Sequence, residues 1–245
     1  MASLSVPADG YKLATNRKGV LDQYFYFLIS LLFAAIVVTG FNRTVNQNLL
    51  HAAIPRPFLL WIHGAAFSSW VLFYILQSAL VRTHNVKLHR RLGWFGAGLG
   101  TLMVPLGFTI AVIMGRFDSR VLHQSDPAFL SIPFFDMVAF GTLLGLAILW
   151  RRKPEFHKRL LFLATCSLLD APFGRFDFVF YHNLFYVCLD GVMMFGVAHD
   201  LIVNRRVHAV YRYALPALII GQAFTIYLWH GSPAWWLRTT HYILG

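Results

Sequence analysis

Apolar residues run along the chain in seven long blocks separated by short polar connections. The blocks are Tyr24 to Phe41, Pro57 to Leu80, Leu92 to Gly115, Ile132 to Trp150, Leu160 to Phe178, Asn183 to Val203 and Tyr213 to His230. A helix needs about 20 apolar residues to cross a hydrocarbon layer, and in lipid only helices and closed barrels satisfy their own backbone. The pattern therefore predicts an all-α integral membrane bundle of seven transmembrane helices, a single domain over residues 1–245. Short connections make sequential helices antiparallel neighbours. Within the second block, His63, Phe67, Trp70, Tyr74 and Gln77 recur at a period near 3.6 and so share one helical face.

Composition agrees: 58% of the residues are hydrophobic and 13% charged, against about 25% charged in soluble domains. The net charge of +11 changes the picture only through its distribution. Fifteen of the 21 Lys and Arg lie at the N-terminus (Lys12, Arg17, Lys18) and in alternate connections, around Arg82 to Arg91, Arg151 to Arg159 and Arg205 to Arg212. By the positive-inside rule these mark the cytoplasmic side, with the N-terminus inside, the C-terminus outside and a bacterial inner membrane as the setting. The charge is topological, which argues against a nucleic-acid partner. The first block is read as a retained helix, since no small-residue cleavage site follows it. Cys166 and Cys188 fall within apolar blocks, as packing residues do. No phosphate-binding loop, dinucleotide fingerprint or nucleophile elbow is present.

The fifth block is the least ordinary. It reads Leu169-Asp170-Ala171-Pro172-Phe173-Gly174-Arg175-Phe176-Asp177. Pro172 cannot supply the amide that the Leu168 carbonyl needs, so the helix is expected to kink or break there. Charged groups in lipid are costly and turn inward or pair. With this topology Asp136, Asp170, Arg175, Asp177 and Asp190 gather toward the outer half, and they form the candidate catalytic set. Arg175 is expected to bridge to one of those carboxylates.

Histidines supply a second kind of chemistry. Bis-histidine haem needs imidazoles at equal depth on facing helices. His63 with His182 would form an outer pair and His89 with His157 an inner one, with Trp70 and Tyr74 walling the ring. An internal echo is also present, of the kind a tandem duplication or a repeated basic interface anchor leaves: Leu88-His89-Arg90-Arg91-Leu92 opens the third block and Phe156-His157-Lys158-Arg159-Leu160 the fifth. Residues Ile62-His63-Gly64, Tyr74, Gln77, His89 and Leu92-Gly93, over about a fifth of the chain, resemble the order in the b561-type family of dihaem membrane cytochromes. That resemblance implies haem b as cofactor, electron transfer across the membrane, His63 as an outer ligand and His89 as an inner one. A membrane quinone or another membrane redox protein would be the partner. The HRRLG and HKRL stretches are also similar to small bacterial multi-pass membrane proteins.

Three alternatives stand beside the haem reading. Zinc or another divalent metal on His63, His182 and His230, with the outer aspartates, would make a membrane-embedded hydrolase. Seven helices in this orientation resemble the adiponectin-receptor and ceramidase class, whose metal, however, lies toward the cytoplasm. A broken fifth helix bearing Asp170 and Arg175 suits a transporter. The last alternative is a structural subunit of a larger membrane complex, or a homo-oligomer, in which these polar groups hold an interface together. His199-Asp200 is expected to be an interface anchor, with proton handling as the other reading.

Overall fold

The structure is a computed structural model that describes residues 8–245, with side chains from Val20 onward. The basic residues Lys12, Arg17 and Lys18 lie outside the described side chains. All regular elements among the described residues are helical. They are α1 (Ala8–Val45), α2 (Leu59–Arg82), α3 (Val86–Arg120), α4 (Ser131–Leu149), α5 (Pro154–Cys166), α6 (Asp170–Phe173), α7 (Asp177–Tyr181), α8 (Phe185–Asn204), α9 (Ala209–Gly231) and α10 (Ala234–Leu244). A π-helical turn, Asn46–Leu50, extends α1, and a 3-10 turn, Pro127–Leu130, leads into α4.

Six helical segments are long and apolar enough to cross a membrane: Val20–Leu50, Leu59–Arg82, Val86–Arg120, Pro127–Leu149, Phe185–Asn204 and Ala209–Gly231. The predicted fifth block differs from these six. The α5 helix stops at Cys166, where the Ser167 hydroxyl donates to the Ala164 carbonyl at 2.8 Å. Tightened turns follow, with Leu168 N to Thr165 O at 3.3 Å and Leu169 N to Cys166 O at 2.9 Å. The break thus comes six residues before Pro172, which instead sits in the first turn of α6, where a missing amide costs no hydrogen bond.

The bundle is held by an aromatic and aliphatic centre. Phe162 on α5 lies 6.0 Å from Phe33 and 6.4 Å from Tyr211, and Trp70 stands edge-on to Phe140 at 5.2 Å. Leu72, Leu102, Val138 and Ile220 face outward and remain exposed, as a lipid-facing surface requires. The face predicted on the second block is the inward one: Trp70, Tyr74 and Gln77 are its buried residues. Gly40 on α1 lets the chain approach α6 closely, since a Cβ there would lie 2.5 Å from the Pro172 carbonyl oxygen.

The α10 helix was not predicted. It lies against the Pro127–Leu130 turn and the end of α3. Trp236 Nε1 donates to the Ala128 carbonyl at 3.0 Å, and Arg116 donates to the Ile243 carbonyl at 2.7 Å. Arginines satisfying the last carbonyls of a helix close its C-terminal end.

Candidate functional site

The inner pair of histidines comes together. His89 is the fourth residue of α3 and His157 the fourth of α5, so the sequence echo places each ring one turn into its helix. The two ring centres are 6.4 Å apart with planes at 76°. His157 Nδ1 bonds to the Ala147 carbonyl at 2.8 Å, and the ring of His89 faces the Gln77 carbonyl. A ring tied through Nδ1–H to a carbonyl presents Nε2 as its free lone pair. Close by, both amide atoms of Gln77 and the Nδ1 of His89 are buried without a hydrogen-bond partner. Metal–nitrogen bonds of about 2 Å on opposite sides of one ion would put the two ring centres about 6.3 Å apart. The observed ring-centre spacing of 6.4 Å is close to that value.

The outer pair is not assembled in the same way. His63 leans on Phe67 at 4.1 Å, with a buried and unpartnered Nδ1. His182 turns back onto its own helix, bonding the Phe178 carbonyl at 2.9 Å and lying 4.4 Å from the Phe178 ring. His230 stacks on Trp229 at 4.3 Å. Among the described residues no three His, Cys, Asp or Glu side chains converge to hold a metal ion. The proposed set of His63, His182 and His230 is thus dispersed, because two of its rings are occupied by their own helices.

The candidate acids separate into three groups. Asp136 on α4 and Asp170 at the start of α6 are both buried, and Tyr186 donates to Asp136 at 3.3 Å. Asp190 accepts from Gln222 at 3.0 Å, which supplies a partner for the carboxylate that is costliest to leave unpaired. Asp177 pairs with Arg43 at 3.4 Å, both about three-quarters exposed. Arg175 forms none of the bridges expected of it and rests over the Phe41 ring at 5.5 Å.

A further polar cluster lies at the end bearing the basic connections. Arg159, expected to belong to the solvated basic belt, is 1% exposed, as is its partner Asp200. Its Nε lies 3.0 Å from one Asp200 oxygen and its Nη2 bonds the other, while its Nη1 donates to Glu155 at 2.6 Å. Asn204 Nδ2 and the His208 amide donate to Asp200 at 3.1 Å each. Burial opposes ionisation of Glu155, but the hydrogen bond from Arg159 and the charge of Lys158 outweigh it and hold its carboxyl below the ordinary range. His208 is pushed down by burial and by the Arg159 charge. His199, stacked on Phe25 at 4.1 Å, has no hydrogen-bond partner on either nitrogen, although Asp22 stands 3.4 Å away. The anchoring role expected of His199-Asp200 falls to Asp200, through Arg159. The pattern Glu155-x-x-x-Arg159 beside an aspartate in an apolar block was the signal available for it.

No family model matches the chain. Neither a curated protein nor a solved structure matches it. Function is therefore argued from the geometry.

Proposed function

We propose that the chain is a multi-pass membrane haem protein for electron transfer, with His89 and His157 as the axial ligands of one haem b. The observation that carries this reading is the 6.4 Å separation of the two imidazoles that stand one turn into α3 and α5. The Ala147 carbonyl orients the ligand ring of His157 and raises its basicity. Trp70, which donates to Thr165 at 3.3 Å, and Tyr74 lie deeper, packed on Phe140 and on Phe33 in the bundle centre, and do not wall this pair. Arg90 and Arg91 follow His89 in the sequence and Arg151 and Arg152 precede α5, cations of the kind that suit the carboxylates of a haem edge. A haem bound there supplies a one-electron couple that no side chain of this chain offers.

The reading keeps the likeness to b561-type cytochromes at His89 and leaves His63 without an opposing ligand, so one haem is expected instead of two. In this reading α5 to α7 complete a seventh crossing. The basic connections face the cytoplasm of a bacterial inner membrane, the C-terminus lies outside, and the partner is a quinone or another membrane redox protein. The test is an oxidised and dithionite-reduced absorption spectrum of the detergent-purified chain. One haem b per chain is expected, lost in His89→Ala and in His157→Ala and retained in His182→Ala. A colourless protein that stays colourless when expressed with excess haem overturns the proposal.

A second reading, proton-coupled transport, is favoured by one observation: two buried carboxylates, Asp136 and Asp170, the latter at the interrupted helix. Proton-driven uptake by proteoliposomes, abolished in Asp170→Asn and independent of His89, would support it over the haem reading.

A further inference from the structure

Where the end of α1 meets α6 and α7, a cavity of about 230 Å³ opens to the surface, lined by polar residues that include Arg43, Thr44, Gln47, Asn48, Arg175 and Asp177. Two guanidiniums line it. Arg43 is held only by Asp177, a highly exposed pair at 3.4 Å of the kind that contributes little and exchanges easily. Arg175 lies over the face of Phe41, 5.5 Å from its centre, and among the described residues no side-chain hydrogen bond of its guanidinium is found. Asp170 and Asp118 act on Arg175 through charge, but among the described residues no carboxylate comes within ion-pair distance of it. An arginine stacked on an aromatic ring with an unused donor fork is prepared for a planar or tetrahedral oxyanion.

The walls are fixed in place. Gly40 seats α1 against the Pro172 backbone, so the arginines of the two segments cannot drift apart without breaking that contact. Gln47 and Asn48 belong to the π-helical turn and line the cavity. The volume is below the 300 to 1,000 Å³ of sites for drug-sized molecules, and it suits a single headgroup-sized ion.

We propose that this cavity binds a phosphate group, with Arg175 and Arg43 as its charged clamp and Thr44, Gln47 and Asn48 as neutral donors. Asp177 is the internal competitor: it occupies Arg43 when the site is empty and must yield when the phosphate enters. The phosphate is either that of a phospholipid headgroup at the membrane surface or that of a soluble phosphate.

Two arms distinguish these sources. Isothermal titration of the full chain in neutral detergent with inorganic phosphate reports the soluble arm. Native mass spectrometry after reconstitution in phosphatidylcholine vesicles containing phosphatidylglycerol reports lipid retained by the protein. Arg175→Gln should weaken whichever probe binds by about tenfold or more, the loss expected for a charge-assisted bond. Asp177→Asn should tighten it, an effect a merely damaged surface would not produce. All three residues are exposed, so thermal melting of the variants should match that of the parent chain. Retention of the anionic lipid alone assigns the site to a headgroup; titration by phosphate alone assigns it to a soluble ligand. Binding of neither probe, or binding unchanged in Arg175→Gln, overturns the proposal.

Discussion

Removal of the Asp200 carboxylate is the sharpest test of how this bundle is held. In Asp200→Ala the Arg159 guanidinium, 1% exposed, loses its Nε and Nη2 acceptors. Only Glu155 remains to it, and Glu155 is 57% exposed. Asn204 Nδ2 and the His208 amide lose their acceptor as well. A buried charge stripped of its main partner costs about 3–5 kcal/mol, a large share of a typical folding free energy of about 5–15 kcal/mol. Asp200→Asn keeps an acceptor but loses the charge, for which a loss of about 1.5–3 kcal/mol is expected. The paired replacement Arg159→Met with Asp200→Leu removes both charges and should recover most of the loss, since well-packed apolar substitutes are often neutral or better. The assay is equilibrium unfolding in mixed detergent and SDS, followed by tryptophan fluorescence, with the coupling taken from the double-mutant cycle. A cost below about 1 kcal/mol for Asp200→Ala, the range of exposed pairs, would refute the reasoning and mean that Arg159 is solvated.

Three further outcomes follow from the geometry. Gly40→Ala would push a methyl against the Pro172 backbone at 2.5–2.9 Å; it should cost about 1–3 kcal/mol, whereas Gly93→Ala, with nothing within 4 Å, should be neutral or slightly stabilising by the same unfolding assay. Glu155 has its carboxyl held below its ordinary 4.5, so its stabilisation is complete above that pH and is lost as the pH falls through the folded value; Glu155→Gln should flatten this acid limb of thermal stability between about pH 5 and 3. In the haem reading, His157→Ala should abolish the reduced spectrum and His182→Ala should leave it intact, because only the former ring faces another imidazole.

The parts of the structure carried by periodicity and length were legible in the sequence. Among the described residues, six helices long and apolar enough to cross a membrane follow from apolar length alone, and Trp70, Tyr74 and Gln77 turn inward as their spacing requires. The interruption of the fifth block was anticipated near Pro172, although the helix ends earlier, at Cys166, where a serine and two tightened turns close it. The meeting of His89 and His157 follows from an echo that starts two helices in the same way. Features that depend on residues distant in sequence were not legible. Arg159 reads as one more basic residue at an inner boundary until Asp200, 41 positions away, is seen opposite it. Arg175 was expected to find a carboxylate, but the ring of Phe41 on another helix holds it over the cavity. The α10 helix escaped because its apolar positions are too few for a crossing, and it exists by packing on the end of α3.

The short α5 helix also bears on how the chain enters a membrane. Thirteen residues at 1.5 Å each make about 20 Å of helix, well short of the roughly 30 Å of hydrocarbon. As it leaves the translocation machinery, this segment has no apolar length of its own with which to partition, and it carries the buried charge of Arg159. Glu155 pairs with it from the same helix, but its buried counter-charge, Asp200, comes only near the end of α8. The buried Arg159–Asp200 pair can therefore form only once α8 has been made, and a nascent chain stopped before Asp200 would hold Arg159 through Glu155 alone.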